Sequence, residues 1–182
     1  GWNLAVSVNL APSSLDVMQF ANVFIARVKK SGIAPEKIVF EITESSMSQD
    51  MALFMGSLLK LRLSGFELSI DDYGTGFSTL EQLARLPFSE LKIDRSFVSN
   101  ADRDPRLETI LESAISMSRG LDLRSVAEGI ETQNEWNLLA RLGCTTGQGY
   151  FIARPTPIEQ LLSSIDAAQK RLAYLQVNRS VQ

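Results

Sequence analysis

Short β-type runs alternating with longer amphipathic segments constrain this chain more than any other feature of its sequence. The runs fall at 4–9, 37–41, 67–71, 90–93, 123–127 and 145–149. Between them, Val17, Phe20, Ala21, Phe24, Ile25 and Val28 recur at helical spacing over 17–31, as do Phe54, Leu58 and Leu61 over 52–63. Pro105 and Gly120 bracket a third helix, with proline at its first turn and glycine at its close. Helical segments at 133–142 and 157–176 complete the series. Strand-then-helix units in succession imply parallel strands joined by right-handed crossovers, which leaves a barrel or a doubly wound sheet.

The polar residues favour the barrel. Asn9, Glu41, Asp71, Lys92 and Glu128 each fall at or just past the C-terminal end of an expected strand, the face on which α/β barrels build their sites. A doubly wound sheet gathers such groups near one switch point instead. The expectation is therefore an α/β fold, a TIM-like (β/α) barrel, forming a single domain over 1–182 with a C-terminal helix and tail at 166–182. A closed barrel has eight units in about 250 residues. Six units in 182 residues lead us to expect an incomplete barrel, truncated at its N-terminal side.

Composition narrows the chemistry. The net charge of −3 and the lack of a Lys/Arg run argue against a nucleic-acid polymer gripped by its phosphates, and leave open a small phosphate ligand held through metal ions. The chain has no histidine, so Ser-His-Asp triads, His-activated cysteines and His-rich metal clusters are all excluded within it. Cys144, the one cysteine, excludes an internal disulfide and fits a reducing, cytoplasmic setting; its apolar context reads as core. No apolar stretch reaches the length of about 18 residues that suggests a membrane span, so no direct membrane contact is expected.

Asp71 and Asp72 end an apolar strand and run straight into Tyr73-Gly74-Thr75-Gly76. Two adjacent carboxylates repel unless one is protonated or a divalent cation lies between them. An acidic turn capping the next helix is the alternative. The other strand ends weigh against it. Glu41 closes a Val-Phe strand, where a carboxylate needs a cation or a donor, and Glu44 follows three residues later, better placed to support a neighbouring loop than to share the metal. Glu128 and Glu131 repeat the same spacing after another apolar strand. Asn9 offers a neutral amide oxygen, or is a turn residue. Lys92 stands among apolar neighbours, able to orient a water or offset phosphate charge, or to pair with Asp94 or another carboxylate. An oxygen-only ligand set suits Mg or Mn over zinc, and two cations about 4 Å apart would suit in-line attack on a phosphodiester. The Gly74-Thr75-Gly76 loop lacks the nucleotide-binding P-loop pattern. The apolar stripe at 161–175 reads as a helix packed on the barrel.

These residues resemble the EAL domain of bacterial cyclic di-GMP phosphodiesterases. The likeness is carried by VNLA at Val8 to Ala11, EITES at Glu41 to Ser45, DDYGTGFSTL at Asp71 to Leu80, LKIDRSFV at Leu91 to Val98, AEGIET at Ala127 to Thr132 and GCTTGQGYFIARP at Gly143 to Pro155. It implies hydrolysis of one phosphodiester of cyclic di-GMP, giving linear pGpG, with two divalent cations, Mg or Mn. By resemblance, Asn9, Glu41 and Asp71 would hold one cation and Asp71, Asp72 and Glu128 the other. Lys92 would hold the attacking water, Glu131 and Gln148 would position substrate and solvent, and Glu44 would anchor the loop after Asp72. The resemblance further implies a homodimer and sensor or regulatory domains on the N-terminal side of the parent protein. The E-A-L segment that names the family, with its glutamate, does not precede Asn9. Weak or absent hydrolysis by the chain alone is therefore expected, the alternative being a non-catalytic cyclic di-GMP receptor or a dimerisation module.

Overall fold

The computed structural model describes residues 4–10, 18–44, 51–74 and 80–179. Within these, six strands form one sheet: β1 (Val6–Asn9), β2 (Ile38–Thr43), β3 (Glu67–Tyr73), β4 (Glu90–Ile93), β5 (Arg124–Ala127) and β6 (Thr146–Gly147). They lie in sequential order, each parallel to the next. A doubly wound sheet would reverse its order at a switch point. This one never does, and it curls as half of a TIM-type barrel. The helices are α1 (Met18–Ser31), α2 (Met51–Leu63), α3 (Leu80–Arg85), α4 (Arg95–Val98), α5 (Pro105–Gly120), α6 (Gln133–Leu142) and α7 (Leu161–Arg179). No described helix is long and apolar enough to cross a membrane.

Alternation along each strand divides the sheet into two faces. Phe40, Ile42, Leu68, Ile70, Leu91 and Ile93 point to the helix side and are fully buried or nearly so. There the Phe24 ring of α1 meets Phe40 edge-on at 5.0 Å and Phe66 at 5.8 Å. Burying each such side chain contributes about 1.5–3 kcal/mol, and Phe40→Ala would cost about 3–5 kcal/mol through the cavity it leaves. At the β1 edge, Val6 and Val8 are 61% and 38% exposed, although register with Ile38 and Phe40 puts them on the helix side. The opposite face carries Glu41, Glu67, Ser69, Asp71, Glu90, Lys92 and Arg124, with Val39 and Val126 among them, and is mainly polar.

The elements depart from expectation where the periodic signal is short. Helices α3 and α4 have six and four residues, too few to show a helical period, and α4 is set by Asp94, whose side chain accepts the Ser96 N–H. Strand β6 keeps only two residues of the expected five. After Gln148 donates its N–H to the Ala127 carbonyl, its own carbonyl accepts from Ile130, and the chain turns from pairing with β5 to clasping the loop beyond it. Helix α7 starts at Leu161, after a 3-10 turn at Ile158–Gln160 that Pro157 precedes. It packs on the 148–156 segment, where Arg171 stands 4.4 Å over the Phe151 ring. Cys144 is half-buried, its one S–H within reach of the Thr146 carbonyl at 3.3 Å and the Ser125 carbonyl at 3.5 Å.

Candidate metal centre

The polar face converges at the C-terminal ends of the strands on Lys92. Its ammonium, almost enclosed, lies 2.7 Å from Asp71 Oδ1, 2.8 Å from Glu128 Oε1 and 3.1 Å from Glu41 Oε1. Each partner comes from a different strand or strand end. Burial alone would lower the Lys92 pKa, but the hydrogen bonds to Asp71 and Glu128, with the charges of Glu128 and Glu41, push it well above the ordinary lysine range. Lys92 is therefore a fixed cation at any physiological pH. Asp94, one candidate partner, turns away to cap α4.

Asp71 and Asp72 could not both face this site in a regular strand, because successive side chains point to opposite sides. A register shift solves the problem. Ile70 pairs with Leu91 and Tyr73 with Ile93, so β3 uses one more residue than β4 over this stretch. This is a β-bulge, the device that re-aims side chains beside functional sites. Asp72 takes the left-handed conformation, φ 56°, which costs a non-glycine residue about 1 kcal/mol. The result is that oxygens of Asp71, Asp72 and Glu128 all lie within 4.8 Å of one another. Burial raises the Asp72 pKa, helped by the charges of Asp71, Asp94 and Glu41 and opposed by Lys92. Glu128 is likewise raised, by burial first and then by Asp71 and Glu41, against the pull of Lys92. Like charges at such separations repel by about 3 kcal/mol per pair at an effective dielectric of about 20.

The surroundings hold the cluster in place. Glu44, buried, accepts the Gly74 N–H at 2.9 Å and so ties the end of β2 to the chain leaving the bulge. Gly74 has φ +99°, and a Cβ there would run into the Phe97 ring. Residues 75–79, with the rest of the Gly74-Thr75-Gly76 loop, lie outside the described residues. Asn9 is exposed at the end of β1, in register with Glu41. Glu131 and Gln148 are not in the cluster. Glu131 is exposed at the rim and pairs with Arg95 at 2.9 Å; Gln148 lines a cleft of about 630 Å³ between the 148–156 segment and α7.

Three residues of this region escaped the sequence reading. Arg95 gave no signal beyond its charge. Ser69, one step below Asp71 on the same face and in register with Glu41, is fully buried with its hydroxyl unpartnered. Glu135 was legible, because Thr132 and Glu135 form the T-x-x-E signature of a helix capping box.

The donor set fits a hard divalent cation: every cluster oxygen is a carboxylate oxygen, and all of them lie within one cation's reach of each other. Comparison with known proteins points the same way. Residues 2–155 match the EAL domain family. The chain is 38% identical over 169 residues to the bifunctional diguanylate cyclase/cyclic di-GMP phosphodiesterase MucR of Pseudomonas aeruginosa, covering 90% of this chain and 24% of that protein. It thus spans about a quarter of that relative's length. The solved structure of the MucR phosphodiesterase in complex with c-di-GMP superposes with a TM-score of 0.80 at 36% identity, over 86% of this chain and 64% of that one. Klebsiella pneumoniae BlrP1, solved with manganese and cyclic di-GMP, gives a TM-score of 0.77 at 30% identity, over 83% and 39% of the two chains.

Proposed function

The chain belongs to the EAL domain family, and from that premise we propose that it hydrolyses one phosphodiester of cyclic di-GMP to linear pGpG, using divalent cations held at the mouth of its sheet. The observation that carries this reading is the bulge at Asp71-Asp72, which turns two adjacent carboxylates onto one side and brings them to Glu128. A polypeptide has no structural need to spend backbone strain on gathering like charges. Asp71, Asp72 and Glu128 would hold one Mg or Mn ion, and Asn9, Glu41 and Asp71 a second, with Asp71 shared. Bound there, the ions supply an activated water at neutral pH and offset charge on the phosphate oxygens.

The remaining work falls to the chain itself. Lys92 carries a permanent positive charge and stands among three carboxylates, so it would donate to the attacking water or a phosphate oxygen by exchanging one of these contacts. Water adds to phosphorus as the bond to the 3′ oxygen breaks, and that oxygen leaves with a proton. Gln148, at the edge of its cleft, and Glu131, oriented by Arg95, would position the dinucleotide. Glu44 would keep the chain after Asp72 in place through Gly74. Association as a homodimer and attachment to sensor domains belong to the same proposal.

The test is release of pGpG from cyclic di-GMP by the protein carrying this chain, with Mn or Mg present, and its loss in Asp71→Asn. Cyclic di-GMP binding without release would favour the receptor reading; no binding at all would leave a structural module.

A further inference from the structure

Glu135 lies in the first turn of α6, outside the acidic cluster, and is 5% exposed. Its carboxylate is fully engaged. Oε2 accepts the N–H groups of Glu131 and Thr132, each at 2.9 Å, and Oε1 accepts the N–H of Asn100 at 3.2 Å. Thr132 Oγ1 accepts the Glu135 N–H in return, at 3.2 Å. Capping α6 explains the bond to Thr132. It does not explain Asn100, which is 35 residues away on the connection between α4 and α5, in the left-handed conformation with φ 63°.

The two segments that meet on this carboxylate are the ones that build the rim of the mouth. The loop from β5 to α6 begins with Glu128, an oxygen donor of the cluster, and continues to Glu131. The α4–α5 segment begins with Arg95, which pairs with Glu131 and whose side chain lies so close to Gly129 that a Cβ there would collide with it. Within the loop, the Glu128 N–H is held by the Ile93 carbonyl and the Ile130 N–H by the Gln148 carbonyl, both at 3.1 Å. The N–H groups of Glu131 and Thr132 depend on Glu135.

We infer that Glu135 is a positioning residue: by locking the 128–132 loop to the 95–100 segment it sets where Glu128 and Glu131 stand, and thereby the cation affinity of the mouth. This rests on the reading of the mouth as a divalent-cation site. The glutamine variant separates the two roles of the side chain. A glutamine oxygen can still accept from Glu131 and Thr132, but its NH2 then meets the Asn100 N–H, donor against donor. Glu135→Gln therefore keeps the helix cap and loses the cross-tie. Thr132→Ala does the converse, weakening the cap while leaving both Glu135 oxygens in place.

The experiment titrates Mn2+ alone into the wild-type chain, Glu135→Gln and Thr132→Ala by calorimetry, with amide hydrogen exchange on each. Glu135→Gln is expected to bind Mn2+ about 10–100-fold more weakly, as loss of an outer-shell support does, with at least about tenfold faster exchange at Asn100, while Thr132→Ala stays within about twofold of wild type. Equal Mn2+ affinity in Glu135→Gln and wild type, or an equal loss in Thr132→Ala, overturns the inference. Because coupling is reciprocal, Mn2+ must also slow exchange at Asn100, Glu131 and Thr132 in the wild type. Unchanged protection there overturns the inference even if Glu135→Gln does not fold. If Mn2+ binds and responds as expected but the wild-type protein releases no pGpG, the phosphodiesterase reading falls and the role of Glu135 stands.

Discussion

The polar face of the sheet has two ends, and they handle charge in opposite ways. At the N-terminal ends of the strands, Glu67 lies 2.9 Å from Arg62 and 3.5 Å from Arg124, which also reaches Glu90 at 3.4 Å. Acids and bases are matched there. Burial pushes the Glu67 pKa up, but the Ser89 hydroxyl and the guanidinium groups of Arg62 and Arg124 hold it below its ordinary value. At the C-terminal ends, Glu41, Asp71 and Glu128 share the Lys92 ammonium, Asp72 lies beside them, and the carboxyls of Asp72 and Glu128 are pushed up. The same strands thus build a balanced floor and an acid-rich mouth. The floor is structure. The mouth is an acidic cluster whose oxygens lie within one cation's reach of each other.

The largest expected difference between the ends comes from removing their cations. Lys92→Met strands three carboxylates and should destabilise the metal-free chain by about 3–5 kcal/mol; a saturating excess of Mn2+ at 100 times its dissociation constant should return about 2.7 kcal/mol. Arg124→Met, at a half-exposed position on the floor, should cost about 1 kcal/mol or less, with no extra gain from Mn2+. Denaturant melts with and without Mn2+ measure both. Equal Mn2+ gains in the two variants would erase the distinction between mouth and floor.

A second, smaller difference is in the pH dependence of metal-free stability. Glu128 binds its proton more tightly folded than unfolded, so its contribution to stability falls as pH rises above the ordinary glutamate value of 4.5. Glu67 binds its proton less tightly folded than unfolded. Its contribution is present above 4.5 and is lost as pH falls through the lowered folded value. Denaturant melts between pH 3 and 7 should show Glu128→Gln and Glu67→Gln changing the slope of stability against pH with opposite signs. Slopes of one sign would mean that both ends treat carboxylates alike.

The smallest effect tests the bulge. Asp72→Gly relieves a left-handed non-glycine and should raise metal-free stability by a few tenths to about 1 kcal/mol. It also removes a cluster oxygen, so Mn2+ affinity should fall at least about tenfold. Calorimetry paired with thermal melts would show stability and binding moving apart; moving together would mean that the strain at Asp72 serves no site.

Much of the fold was readable from the chain because strands and long helices announce themselves by period. Six strands lie where alternation and strand-end polarity put them, and the sheet winds as parallel barrel units do. The short helices α3 and α4 carry too few residues for a period, and β6 is cut to two because its end grips a loop. The site was readable as a set of residue types at strand ends. Its geometry was not. Whether Asp71 and Asp72 share a side depends on one extra residue in the register with β4, and nothing in two consecutive aspartates encodes that shift. Long-range ties such as Glu135 to Asn100 are likewise invisible until the fold brings them together.

The central claim is that the mouth of the sheet is a divalent-cation site built on the Asp71-Asp72 bulge. Its most direct test is calorimetric titration of Mn2+ into the chain and into Asp71→Asn. Saturable binding by the wild type, weakened about 100-fold or more in the variant, is the result this account predicts. Binding of equal strength in both, or none in either, would contradict it.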